Sequence, residues 1–93
     1  MESDSLRLKC CEYNELARGL IEALCPAVEN GGHPVAGLAI ETLRRLGLRT
    51  PLSGHTDLYR QIFAWTVLRD CGLANGAPRR MIRRLREIEA ASR

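Results

Sequence analysis

Residues 58–71, LYRQIFAWTVLRDC, decide the fold because they combine helical spacing with apolar side chains on both sides of the predicted helix. A helix that is apolar nearly all round is expected to be buried nearly all round. Four-helix bundles have no central helix, so either the other helices wrap around this one or a second protomer covers its far side. One arc holds Leu58, Tyr59, Ile62 and Trp65, and the other holds Phe63, Ala64, Val67, Leu68 and Cys71.

The sequence outside this stretch predicts three more helices, which makes the chain a single all-α domain. Apolar side chains recur at steps of three and four, the spacing of one helix face. The chain has 93 residues, and a single core of this size leaves a slim margin of stability. We therefore expect a small four-helix domain, bundle-like or open, that homodimerisation completes. The predicted helices of this domain, residues 1–93, span 5–25, 34–46, 57–71 and 78–91.

Proline and glycine separate these helices. Pro26 has no amide to donate to the carbonyl of Glu22, so the first helix should kink or end near Cys25. Pro34 suits the first position of the second helix, because the missing amide is unbonded there in any case. Gly72 is placed to end the third helix. We expect the chain to change direction at each of these points.

The fourth predicted helix carries a band of arginines opposite a narrow apolar stripe. Arg79 and Arg80 lie at its start and Glu87 and Glu89 near its end, an order that opposes the helix dipole. Helix stability does not account for that order, so an acidic partner surface is the simplest explanation. Such an acidic surface could belong to nucleic acid, to another protein, or to the first helix of the same chain or of a second copy. The net charge of only +3 and a pI of about 8.9 argue against nucleic acid.

No pattern in the sequence supports catalysis, a metal or a cofactor. His33 and His55 are far apart in sequence and far from the four cysteines, so the ligand spacing of a zinc site is missing. We interpret both as turn or cap residues. The chain has no glycine-rich phosphate loop and no GxSxG nucleophile elbow. We expect no enzyme activity, no metal and no cofactor.

The cellular setting follows from the apolar pattern and the cysteines. Residues 1–9, MESDSLRLK, contain no apolar segment of a secretory signal. No stretch approaches the roughly 18 apolar residues of a membrane span. The four cysteines lack CxxC spacing, which fits reduced thiols. We therefore expect a cytoplasmic protein with no membrane contact.

These patterns favour a small non-enzymatic regulatory or adaptor protein that binds another protein, of the inhibitor or anti-activator type. The aromatic helix would supply an apolar interface to a partner or to a second protomer, and the arginine helix would bind an anionic surface. The alternative is a nucleic-acid-binding transcriptional regulator that contacts phosphates through the fourth helix. The predicted interface residues are Tyr59, Ile62, Phe63, Trp65 and Val67, and the predicted anion-binding residues are Arg79, Arg80, Arg83, Arg84 and Arg86.

Overall fold

The computed structural model describes residues 2–31, 34–46, 55–73 and 76–91. These ranges contain four helices: α1 (Glu2–Gly31), α2 (Pro34–Arg45), α3 (His55–Asp70) and α4 (Ala77–Ala91). α1 packs beside α2 and α4, and α3 also packs beside α2 and α4. α1 and α3 therefore lie on a diagonal of a compact four-helix domain. The all-α, four-helix prediction is confirmed, while dimerisation stays a prediction.

α1 runs through Pro26 to Gly31, whereas the sequence predicted a kink or an end near Cys25 and placed the helix at residues 5–25. Proline removes one helical hydrogen bond, the bond to the carbonyl of Glu22. The buried stripe nevertheless continues to Val28, whose methyl group lies 3.7 Å from the position that a Cβ atom would take at Gly37 of α2. Packing of this last part of α1 against α2 explains why the helix continues past the proline.

The other three predicted helices agree with α2, α3 and α4 within two residues at each end. The predicted cap or turn roles of His33 and His55 concern side chains outside the described residues.

α1 sets the length of the domain. Its 30 residues correspond to about 45 Å of helix, which matches the longest dimension of 45 Å.

α3 ends at Gly72, as the sequence predicted, and the structure shows a Schellman motif there. Gly72 has a φ of 74°, a conformation that only glycine adopts without strain. Its amide donates to the carbonyl of Arg69 at 2.9 Å, and the amide of Leu73 donates to the carbonyl of Leu68 at 3.2 Å. These two bonds satisfy carbonyls that the helix end leaves free.

α3 buries one side only, so neither arc predicted from the sequence is right. Ile62, Trp65 and Leu68 lie in the core, whereas Tyr59 and Phe63 are 56% and 71% exposed. Tyr59 thus shares the outward side with Phe63, and Leu68 shares the inward side with Trp65. Among the described residues, the other helices do not wrap around α3. Its outward side is left open and carries Tyr59, Phe63 and the exposed Arg60.

A chain of buried hydrogen bonds joins the diagonal helices α1 and α3. The indole Nε1 of Trp65 donates to the phenolic oxygen of Tyr13 at 2.9 Å, and the hydroxyl of Tyr13 donates to Oε1 of Gln61. All three side chains are fully buried. Burial raises the pKa of Tyr13 far above its ordinary value, and the bond from Trp65 offsets this only in part. The phenol therefore stays protonated and remains a donor.

We expect Tyr13→Phe to lower the free energy of unfolding by about 2 kcal/mol or more, because it leaves the indole of Trp65 and Oε1 of Gln61 buried without partners. Gln61→Leu should cost less, since Nε2 of Gln61 already has no hydrogen-bond partner among the described residues. Urea denaturation of both single variants and of the double variant measures these losses. The double variant should lose less than the sum of the two single losses; strictly additive losses would contradict the coupling.

Candidate interaction surfaces

The five predicted interface residues fall into two groups. Tyr59 and Phe63 are exposed and Val67 is half-buried on the outward side of α3. Ile62 and Trp65 point into the core, so contact through their side chains would require the fold to rearrange. The outward group is the part of the prediction that lies on an accessible surface. Its role in binding stays a prediction.

α2 extends this surface with two exposed apolar side chains. Val35 and Leu38 are 56% and 64% exposed. They line a shallow groove of about 160 Å³ between α2 and α3, together with Phe63 and Val67, and no charged residue lines it. We call this surface the aromatic face; it consists of Val35, Leu38, Tyr59, Phe63 and Val67.

The five arginines of α4 are all exposed, and one of them contacts the acidic first helix. Nη1 of Arg84 lies 3.9 Å from Oε2 of Glu12 in α1 and 3.4 Å from Oε2 of Glu87 in α4. Exposed pairs of this kind contribute little to stability. Within the described part of the chain, the four other arginines form no ion pair: Arg79, Arg80, Arg83 and Arg86.

A groove of about 470 Å³ lies between α1 and α4. Its floor is apolar and includes Leu16, which is 50% exposed. Its rim is mostly basic, but it includes only three of the five arginines. Arg79 and Arg86 lie outside it. The residues of this α1–α4 groove are Leu16, Leu20, Ala77 and Met81 in the floor and Arg80, Arg83, Arg84 and Glu87 in the rim.

The described residues bring together no group of three or more metal-binding side chains. The cysteines are free thiols, and the sulfur of Cys25 accepts a hydrogen bond of 2.7 Å from Arg44. None of the helices in the described ranges is both long enough and apolar enough to cross a membrane. The expected absence of a metal site and of catalysis stays a prediction.

The aromatic face lies on α2 and α3, and the α1–α4 groove lies on the other two helices. Because each helix packs beside two others in a ring, these surfaces occupy opposite sides of the domain.

Comparison with models of protein families, with curated proteins and with solved structures finds no match for this chain. Any functional proposal therefore rests on the chemistry of these two surfaces.

Proposed function

We propose that this protein is a small non-enzymatic regulatory or adaptor protein, of the inhibitor or anti-activator type, that forms a homodimer and binds another protein. The aromatic face is the observation that carries this proposal. The chain has only four aromatic residues, one Trp, two Tyr and one Phe. Two of them, Tyr59 and Phe63, are more than half exposed on this face. Aromatic residues are enriched at the centres of protein interfaces.

The area of the aromatic face suits a second copy of the chain. If an exposed aromatic side chain offers about 200 Å², Tyr59 and Phe63 expose roughly 250 Å² together, and Val35 and Leu38 raise the total to about 400 Å². A standard interface buries about 800 Å² per partner, of which about 65% is apolar in homodimers. The face therefore supplies most of the apolar centre of such an interface.

The shape and charge of the face also favour a symmetric contact. Phe63 stands at the edge of the uncharged groove between α2 and α3. In a two-fold dimer the same surface contacts itself, so Phe63 of each protomer can enter the groove of the other. No charged residue lines that groove, so Phe63 of the other protomer would meet no charge inside it. A buried aromatic anchor at the centre is the arrangement typical of strong interfaces.

We expect the wild type to be a dimer at micromolar concentrations and Phe63→Glu to be a monomer, because the substitution places a charge at the centre of an apolar contact. Light scattering over a range of concentrations measures this. Leu8→Glu is the matched control: Leu8 is 64% exposed but lies outside the aromatic face, so the dimer should persist. Circular dichroism confirms that both variants fold. A wild type that is monomeric at high concentration contradicts the proposal. In that case another protein or the connector 47–54 would be the candidate to cover the face.

Nucleic-acid binding through α4 is the second candidate function, and the unpaired arginines favour it. Phosphate contacts release counterions, so duplex affinity should fall by orders of magnitude between about 50 and 200 mM salt. Arg83→Ala with Arg84→Ala should then reduce the salt dependence. Our proposal predicts no measurable affinity for random duplex DNA or RNA even at low salt; steep, arginine-dependent binding would favour the alternative.

A further inference from the structure

We propose that the α1–α4 groove binds an amphipathic helix of another protein, one that carries carboxylates along the edge facing α4. The groove lies on the opposite side of the domain from the aromatic face. The inference therefore stands whether or not the aromatic face forms a dimer. It names the partner's chemistry, which the proposed function leaves open.

The floor of the groove fits the apolar side of a helix. Leu16 is half exposed between two packed helices, beside Leu20 and above the buried Met81. The groove has a volume of about 470 Å³. Helix-in-groove recognition places side chains at i, i+3, i+4 and i+7 into such an apolar floor. A polynucleotide has no comparable apolar stripe to cover Leu16.

The charges at the rim determine which edge of the partner helix is acidic. On the α4 side, Arg80 and Arg83 form no ion pair with any described residue. On the α1 side, Glu12 and Glu15 lie beside Leu16. A helix with carboxylates only on its α4-facing edge pairs the free arginines and avoids both glutamates. A uniformly anionic partner would meet Glu12 and Glu15 and be repelled.

The distribution of the arginines provides a matched control. Arg80 and Arg83 line the groove, whereas Arg79 and Arg86 are exposed on the same helix but do not line it. Replacing either pair with glutamate changes the net charge by the same amount. Long-range attraction responds to both changes alike, whereas binding in the groove responds to the first pair alone.

The test is a selection from a display library of random helical peptides against the immobilised full-length protein. We expect the enriched peptides to share apolar residues at helical spacing and carboxylates along one edge. An enriched peptide is then synthesised with a fluorophore, and its affinity is measured by anisotropy. Arg80→Glu with Arg83→Glu, and separately Leu16→Ser, should each weaken binding about tenfold or more. Arg79→Glu with Arg86→Glu should change the affinity less than about threefold.

Three results would overturn the inference: no enrichment of amphipathic acidic peptides, an equal loss of affinity in the two arginine double variants, or self-association of the free protein that Leu16→Ser abolishes. The second result would indicate diffuse attraction of the kind that nucleic acid shows, and the third would assign the groove to a second copy. Phe63→Glu should leave peptide affinity unchanged. Failure here is therefore distinguishable from failure of the proposed dimer.

Discussion

The buried hydrogen bonds among Trp65, Tyr13 and Gln61 are the constraint that sets which side of α3 faces the core. α1 and α3 are diagonal helices, and these long side chains reach across the core between them. A buried indole, phenol or amide is costly unless it is paired, so α3 is held in the rotation that points Trp65 at Tyr13. At 100° per residue, Phe63 then lies about 200° around the helix from Trp65 and faces outward.

The same rotation explains how one helix can be apolar on two sides in a small domain. Its inward side, with Ile62, Trp65 and Leu68, completes the core of a single chain. Its outward side joins α2 in the aromatic face. On our proposal, a dimer formed through that face leaves both α1–α4 grooves on the far sides of the assembly. Two grooves held by one dimer would bind a bivalent partner more tightly than either groove alone.

The sequence predicted the features that depend on local periodicity and on the positions of proline and glycine. The number of helices, most of their ends and the stop at Gly72 depend on spacing and on backbone preferences within a few residues. The helix end predicted near Cys25 was wrong because the burial of Val28 against α2 outweighs the loss of one hydrogen bond at Pro26. That contact involves a second helix, and the spacing within α1 gives no sign of it.

Which side of a helix faces the core depends on partners far away in the chain. Tyr13 is 48 residues from Gln61 and 52 from Trp65, and no local pattern shows that these side chains meet. Periodicity alone could not separate Tyr59 and Phe63 from Ile62 and Trp65, because all four fit helical spacing. The α1–α4 groove was likewise hidden, since it exists only once those two helices pack together.

On our proposal, the two sides of α3 have different roles: one belongs to the core and the other to an interface. Trp65 is the only tryptophan in the chain, so acrylamide quenching of its fluorescence reports the inward side. A Phe63→Trp variant keeps Trp65 and its bond to Tyr13, and its second indole reports the outward side. We predict that Trp65 in the wild type is protected at every concentration, whereas the added indole of the variant is accessible at high dilution and becomes protected as dimers form. Equal accessibility of the two indoles, or an outward indole whose quenching does not change with concentration, would contradict this assignment.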